Sequence, residues 1–222
     1  MTIRKAEKED LPYIYNIYEG ARDYMQTHGN PDQWGSTYPP HSLTEEDLAS
    51  NRLYVITENP IKTTHKTDIE INSDSSNNSS SKPAESYTLN NIKAQSPVDT
   101  GNEITVQNTK ANKQDNKIEA IEAVFVFYIG KEEAYDNIEG EWTYDLEYGV
   151  IHRVASSGRI RNITNEIFNY ALTKTPYIRI DTHEDNATMQ AALIRFGFRR
   201  CGTIYYTRNN STTKRIAFDY KG

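Results

Sequence analysis

The order of apolar and polar residues along the chain predicts a sheet protein with four helices. Alternating or continuous apolar positions rich in Val, Ile, Phe and Tyr are typical of strands. They lie at residues 2–6, 53–57, 119–130, 148–154 and 177–182, followed by a hairpin of 199–206 and 214–220. Apolar residues three or four positions apart predict helices that begin near Asp10, Ser42, Ile160 and His183. Ser42 and Glu45 form a capping-box pattern at the second of these helices.

A long polar segment separates the strand at 53–57 from the strand at 119–130. Residues 58–117 consist mainly of Asn, Ser, Thr, Lys, Asp and Glu and contain one aromatic residue, Tyr87. A segment so poor in apolar side chains cannot bury enough surface to offset the entropy of ordering it. We therefore predict a single domain that spans residues 1–222 and contains a low-complexity, disordered insertion at 58–117.

The stretch from residue 148 to residue 172 combines a strand, a short loop and a helix. Residues 148, 150, 152 and 154 are expected to share one face, because side chains alternate along a strand. The loop at 155–159 has no apolar bulk, and the residues after it show helical spacing. The unpaired N–H groups at the start of such a helix favour an anion, and Arg159 and Arg161 add positive charge there.

The same stretch resembles motif A of the GNAT superfamily of N-acetyltransferases. In that family a strand that ends in Val leads into Gln/Arg-x-x-Gly-x-Gly/Ala at a helix start. Here Val154 is followed by the run Arg159-Ile160-Arg161-Asn162-Ile163-Thr164. Asn162 and Thr164 stand where the family has glycines. Asn tolerates the left-handed backbone region better than most residues, so we expect Asn162 to keep the turn, whereas the branched Thr164 is the larger departure.

The last predicted helix resembles motif B of the same family, Asn-x-x-Ala-x-x-Leu-Tyr-x-Lys-x-Gly-Phe. Four positions match in place and kind: Asn186, Arg195, Gly197 and Phe198. Leu193 occupies the position of the tyrosine that protonates the leaving thiolate in many members. The resemblance implies an α/β (α+β) fold, with helices flanking a mixed, mostly antiparallel sheet. It also implies that the sheet is splayed where the strand at 148–154 meets the strand at 177–182.

The resemblance further implies that acetyl-CoA is the cofactor and co-substrate. The implied contacts are Val154, Ser156, Arg159, Ile160, Arg161, Asn162, Ile163, Thr164 and Asn186. The pyrophosphate is expected over residues 159–164, the thioester carbonyl at the N–H of Val154, and the pantetheine arm near Asn186. Acceptors in the family commonly lie near the first helix. The aromatic loop predicted at 22–38 therefore offers Trp34 and Tyr38 as substrate contacts, unless these rings simply plug one end of the core.

Acyl transfer to an amine needs a base for the amine and benefits from an acid at the leaving thiolate. The family's usual base position corresponds to Tyr148. We prefer His152, because histidine is the side chain that titrates near neutral pH; its alternative role is a hydrogen-bonded histidine inside the sheet. His183 is a second candidate base, although its surroundings are also typical of helix capping. Tyr205 or Cys201 is a candidate for the missing acid.

Composition and charge exclude several classes of protein. The formal charge of −6 disfavours a nucleic-acid partner. No apolar run approaches the length of a membrane span, and the charged N-terminus is not a signal peptide, so we expect a cytoplasmic protein without a membrane partner. The single cysteine leaves no internal disulfide and suggests a reducing compartment. The five histidines show no metal-ligand spacing, and we expect no metal.

The sequence therefore predicts an N-acyltransferase that moves an acetyl group from acetyl-CoA to a small amine. The alternative is a non-catalytic GNAT-fold module that binds a ligand or a protein and has lost acetyl-CoA binding. The substituted glycines and the missing tyrosine favour that alternative. The identity of the amine, and whether the chain forms a homodimer, are left open.

Overall fold

The computed structural model describes residues 1–58, 120–208 and 211–222. The predicted disordered insertion at 58–117 lies outside these ranges except for residue 58. Within them the chain forms eight strands and four α-helices.

The strands form one mixed, mostly antiparallel sheet. In chain order they are β1 (Thr2–Lys5), β2 (Leu53–Thr57), β3 (Ile121–Ile129), β4 (Glu139–Gly140), β5 (Gly149–Ser156), β6 (Tyr177–His183), β7 (Arg199–Arg208) and β8 (Ser211–Lys221). Across the sheet the order is β1-β2-β3-β5-β6-β8-β7-β4. All neighbouring pairs are antiparallel except β5 and β6, which run parallel near the centre. The predicted sheet is thereby confirmed.

Four helices connect and cover the strands. They are α1 (Leu11–Thr27), α2 (His41–Ala49), α3 (Ile163–Leu172) and α4 (Ala187–Phe196). Gly197 ends α4 in the left-handed conformation, with φ of 112°, because glycine adopts positive φ without steric cost. None of the helices in the described ranges combines the length and the apolar character needed to cross a bilayer.

Two local predictions about the helices were wrong. Residues 22–38 were expected to form a loop, but α1 continues to Thr27 and ends at the non-helical His28, with φ of −117°, which is followed by Gly29 at φ of 79°. The capping box of Ser42 and Glu45 does not form. The helix α2 begins one residue earlier, at His41, behind the extended residue Pro40, and its N-cap makes no side-chain hydrogen bond.

The helices pack on opposite faces of the sheet. On one face Phe168 of α3 is fully buried, and its ring centroid lies 5.0 Å from those of Phe196 and Phe198. On the other face Ile14 and Tyr18 of α1 pack against the valines of β3. The parallel pair β5 and β6 is connected through α3, and in open sheets such a pair marks the place where ligands bind beyond the carboxyl ends of the strands.

Candidate active site

Strands β5 and β6 separate after a short paired region. Residues 149–151 pair with residues 178–180, whereas β5 continues to Ser156 and β6 to His183. Beyond residue 151 the edge of β5 that faces β6 has no strand partner in the described sheet. The two strands are therefore unpaired toward their carboxyl ends, where the splay was predicted, and we call this place the gap between them.

A β-bulge in β5 lies at the edge of this gap. The pairing of β5 with β3 shifts by one residue between His152 and Ala155. Arg153, inside the shift, has the left-handed φ of 51°, a strained conformation for a residue other than glycine. The extra residue turns Val154 toward the face of α3, where it packs against the core cluster that also contains Ile151. The expected alternation of residues 148, 150, 152 and 154 is therefore correct up to His152 and wrong at Val154.

Two cavities open beside the gap and share part of their walls. The first, about 580 Å³ in volume, lies between the β-bulge, α2 and the loop after α1; we call it the His152 cavity. The second, about 1090 Å³, lies between α1, the loop before α3 and the first turns of α3 and α4; we call it the Asn162 cavity. Four residues line both cavities: Met25, Val154, Asn186 and Met189. The gap between the strands thus joins a polar cavity to a larger one.

The Asn162 cavity reaches the first turn of α3. Asn162 precedes the helix with φ of 58° and ψ of 24°, so it adopts the left-handed turn that the sequence predicted. Ile163 and Thr164 line the cavity, while the exposed Glu166 is not part of its lining. The first N–H groups of a helix have no partner within the helix. The turn therefore presents N–H groups beside an open cavity, even with Asn and Thr in place of two glycines.

Most of the predicted cofactor contacts come together here. The lining includes Val154, Ser156, Arg159, Ile160, Asn162, Ile163, Thr164 and Asn186. Arg161 is exposed and lies outside the lining. Arg159 donates to both carboxylate oxygens of the buried Glu122, at 3.0 and 2.7 Å. Burial alone would raise the pKa of Glu122, but hydrogen bonds from Arg159 and Ser157 lower it. The charge of Arg159 is thus paired within the protein and anchors the loop to β3.

Asn186 holds the junction between the two cavities. As the residue before α4, it accepts a hydrogen bond from the backbone N–H of Met189 at 3.0 Å. Its amide also donates to the side-chain oxygen of Gln33 at 2.8 Å. The cap therefore fixes the start of α4 against the loop that follows α1.

The His152 cavity contains a histidine held by a carboxylate. The Nε2 atom of His152 lies 3.0 Å from Oε2 of Glu132, and the same oxygen accepts a 2.6 Å hydrogen bond from the hydroxyl of Tyr128. Burial alone would raise the pKa of Glu132, but the hydrogen bonds from His152 and Tyr128 outweigh it and lower the pKa to about 2. Glu132 is therefore ionised at neutral pH and fixes the orientation of the imidazole.

A second carboxylate lies on the other side of the same ring. The side chain of Asp181 is fully buried and is 3.7 Å from Nδ1 of His152. It accepts hydrogen bonds from Tyr135 at 2.8 Å, from Tyr206 at 3.4 Å and from Arg215 at 2.7 Å. Burial and the charge of Asp181 raise the pKa of both phenols far above its usual value, so they remain hydrogen-bond donors.

The predicted substrate contacts Trp34 and Tyr38 both line the His152 cavity. The two rings meet edge to face at 6.0 Å, and Trp34 is buried among core residues as well. The hydroxyl of Tyr38 accepts a 3.3 Å hydrogen bond from Arg153. Arg153 also donates to Asp47 of α2 at 2.6 Å. The bulge thus directs an arginine into the wall of this cavity.

Other predicted candidates lie outside both cavities. The ring of Tyr148 packs against the guanidinium of Arg179 at 4.0 Å, and its hydroxyl accepts a hydrogen bond from the backbone N–H of Glu132. Tyr205 is 40% exposed and donates to Glu139. Cys201 is buried, and burial together with a hydrogen bond to Asp219 raises its pKa to about 12. His183 caps the turn before α4 by accepting from the N–H of Asp185. None of these four candidates lines either cavity.

Sequence reasoning missed several residues of the His152 cavity. Glu132 lies in an acidic connection without periodicity, so nothing in the pattern separates it from its exposed neighbours. Asp181 belongs to the predicted strand at 177–182, and strand periodicity alone assigns it no role in a site. Arg153 follows His152 directly, and strict alternation would have placed it on the opposite face. Its one sequence signal is its charge within a predicted strand, and Asp47 is likewise a charged residue that proves to be buried in α2.

Comparison with solved structures identifies the fold. A GNAT-family acetyltransferase from Streptococcus agalactiae matches with a TM-score of 0.65 and 20% identity over 100% of this chain and 95% of that chain. A GNAT-family acetyltransferase from Listeria monocytogenes matches with a TM-score of 0.54 and 12% identity over 100% and 94%. A phosphinothricin acetyltransferase from Sinorhizobium meliloti, in complex with AcCoA, matches with a TM-score of 0.50 and 8% identity over 99% and 87%.

No protein-family model and no curated protein matches the sequence. The structural matches agree with one another, however, and the chain has the fold of the GNAT acetyltransferases. The fold implied by the two motif resemblances is thereby confirmed. At these identities the likeness concerns the fold, and the chemistry has to be argued from the residues of the site.

Proposed function

We propose that the protein is an N-acetyltransferase that moves an acetyl group from acetyl-CoA to a small amine. The observation that carries the proposal is the meeting of two cavities at Val154, between the separated strands β5 and β6. One cavity ends at an open helix N-terminus and the other at a histidine–carboxylate pair. A long thioester donor and a small acceptor would enter from opposite sides and meet at this point.

The Asn162 cavity suits the donor. The first turn of α3, with Asn162 in the left-handed conformation, directs N–H groups toward the position of a pyrophosphate. Small residues of α4, among them Ala187, Ala191 and Ala192, leave room along the cavity for an extended pantetheine arm. The AcCoA complex of the Sinorhizobium enzyme of similar fold supports the choice of donor.

The His152 cavity suits an amine acceptor. Because the ionised carboxylate of Glu132 can only accept a hydrogen bond, Nε2 is the donor, and Nδ1 has the lone pair in the neutral form of the ring. His152 then acts as the base, and Asp181 beside Nδ1 attracts the cationic form of the amine. The five carboxylates of the cavity outnumber its three arginines, which also favours a cation: Asp32, Glu46, Asp47, Glu132 and Asp181 against Arg52, Arg153 and Arg215.

The reaction exchanges one bond for another. The ammonium first loses a proton to solvent; the neutral amine nitrogen then forms a bond to the thioester carbonyl carbon, the C–S bond breaks, and the second proton lost by that nitrogen goes to Nδ1 of His152. We assign to the N–H of Val154, at the bulge, the hydrogen bond to the carbonyl oxygen as negative charge develops. The thiolate leaves toward the Asn162 cavity. Leu193, in the place of the family's tyrosine, is fully buried and offers no proton, so we assign the thiolate's proton to water.

The alternative function is that of a non-catalytic binding module with the GNAT fold. Thr164 in the lining of the Asn162 cavity favours it, because a branched side chain there narrows the approach of a phosphate. The two functions differ in whether thiol is released when an amine is added.

The deciding experiment measures free CoA thiol from acetyl-CoA over a panel of small primary amines, with the acetylated product identified by mass spectrometry. We expect amine-dependent thiol release that follows saturation kinetics and yields one amide per thiol. The His152→Gln variant serves as the matched control and is expected to lose this release. Thiol release that is no faster with amines than without them would overturn the proposed function in favour of the module.

A further inference from the structure

In the wall of the His152 cavity, Asp47 and Arg153 form an ion pair with a single hydrogen bond between them. Arg153 uses one terminal nitrogen for Oδ1 of Asp47 and the other for the hydroxyl of Tyr38. The Oδ2 atom of Asp47 and the Nε–H of Arg153 are both buried and have no hydrogen-bond partner among the described residues. An arginine and a carboxylate usually form two parallel hydrogen bonds, and here the second is not made.

Buried polar atoms without a partner are uncommon and call for an unseen water or ligand. Asp47 is more than nine-tenths buried and belongs to the cavity lining, as does Arg153. The pair is also built at a structural cost, since Arg153 sits at the strained residue of the β-bulge, with φ of 51°. Strain and unmet hydrogen bonds at one point of a cavity wall are typical of a binding site.

The two unpartnered atoms determine which chemical group of a ligand can bind to both of them. Oδ2 of Asp47 requires a donor, and the Nε–H of Arg153 requires an acceptor. A carboxylate would be repelled by Asp47, a second ammonium would be repelled by Arg153, and a methyl group would leave both atoms unsatisfied. A single group that donates and accepts at once, such as a water or a hydroxyl, would satisfy both atoms.

We infer that the acceptor is an amino alcohol, whose hydroxyl donates to Asp47 and accepts from Arg153 while its amine lies at His152. The inference rests on the proposed function, because it takes the His152 cavity as the acceptor site. It goes beyond that function by assigning the second polar group of the acceptor.

The test compares four amines that each carry a chain of three methylene groups: 3-amino-1-propanol, butylamine, 4-aminobutyrate and 1,3-diaminopropane. They differ only in the group opposite the reacting amine, which is a hydroxyl, a methyl, a carboxylate or an ammonium. We expect kcat/KM for the amino alcohol to exceed that of each other amine by about tenfold or more, because a site built to bind a hydroxyl rejects the analogue that lacks it. The same comparison is repeated with homologues one carbon longer.

Replacing both members of the pair with apolar residues avoids leaving one buried charge alone. The Asp47→Leu/Arg153→Met double variant is therefore expected to fold and to lose the preference for the amino alcohol over butylamine. Tyr18→Phe is the matched control. It removes another unpaired buried hydroxyl that interacts electrostatically with the pair but does not line the cavity, and the preference should persist.

A direct binding measurement tests this inference independently of the proposed function. Saturation-transfer NMR of the four amines with the protein reports acceptor binding without turnover. If no amine is acetylated but the amino alcohol still binds best and loses its advantage in the double variant, the hydroxyl-binding site at Asp47 and Arg153 stands and the proposed function fails. Equal or better binding and turnover of any of the other three amines would overturn the inference. So would a preference that survives in the double variant.

Discussion

The imidazole of His152 and the carboxylate of Glu132 lie 3.0 Å apart, although 20 residues separate them in the chain. One comes from β5, just before the bulge, and the other from the acidic connection that follows β3. Glu132 holds the ring at Nε2, and Nδ1 lies 3.7 Å from the carboxylate of Asp181. The proposed chemistry depends on this orientation more than on any other single contact.

Replacing His152 with glutamine is expected to lower kcat by roughly 10² to 10⁴, the usual contribution of a general base. Glutamine keeps a hydrogen-bonding group near Glu132 but cannot accept the amine proton. The check is steady-state kinetics with the best amine, as a function of pH. His183→Gln is the matched control, since His183 lines neither cavity. Equal losses in the two variants would contradict the assignment of His152 as the base.

Glu132 should make the free energy of unfolding depend on pH within a defined acidic range. Its folded pKa of about 2 lies below the usual 4.5, so it stabilises the fold above about pH 4.5 and this contribution is lost as the pH falls toward 2. The full shift corresponds to on the order of 3 kcal/mol. Urea unfolding from about pH 6 to about pH 3 should show a shallower acid loss for Glu132→Gln than for the unsubstituted chain. If the free energy of unfolding fell equally with pH in both proteins, the hydrogen bonds assigned to Glu132 would be contradicted.

The turn at Asn162 should tolerate glycine but not a branched residue. Asn162→Gly keeps the left-handed conformation without strain, and we expect acetyl-CoA affinity and stability close to those of the unsubstituted chain. Asn162→Val places a β-branched side chain at φ of 58°, which costs about 1 to 2 kcal/mol and displaces the N–H groups of the turn. The free energy of unfolding and the acetyl-CoA dissociation constant together check this prediction. A valine variant that binds as tightly as the glycine variant would show that the turn does not hold the pyrophosphate.

Cys201 should be chemically inert in the folded protein. Burial and Asp219 raise its pKa to about 12, so the reactive thiolate is rare at neutral pH. We expect a thiol reagent to label the native chain very slowly, and to label one thiol per chain after unfolding in guanidinium. Rapid stoichiometric labelling of the native chain would contradict the burial and the raised pKa. The same inertness makes Cys201 unsuited to protonate a leaving thiolate near neutral pH.

The sequence predicted most of the fold because its apolar periodicity is strong. The strand at 53–57 was placed within its observed bounds, and the two motif resemblances placed α3, α4 and the gap between β5 and β6. The left-handed turn at Asn162 followed from the backbone preferences of Asn. These features are local, so a short window of residues determines them.

The acceptor side could not be derived in the same way. Glu132 reaches His152 through a connection that has no periodicity, and their contact is determined by how that connection packs on the sheet. The bulge at Arg153 depends on the pairing of β5 with β3, which strand alternation does not encode. The chosen base His152 lines its cavity, whereas Tyr148 and Tyr205 do not.

Isothermal titration with acetyl-CoA tests the central claim most directly, because acetyl transfer at Val154 requires the donor to bind in the Asn162 cavity. We predict saturable heat with a dissociation constant in the micromolar range. Thr164→Glu should weaken it tenfold or more by placing a carboxylate in the lining, whereas Glu166→Gln, outside the lining, should have little effect. The absence of binding heat at high micromolar acetyl-CoA, for a chain that is folded by circular dichroism, would contradict the account.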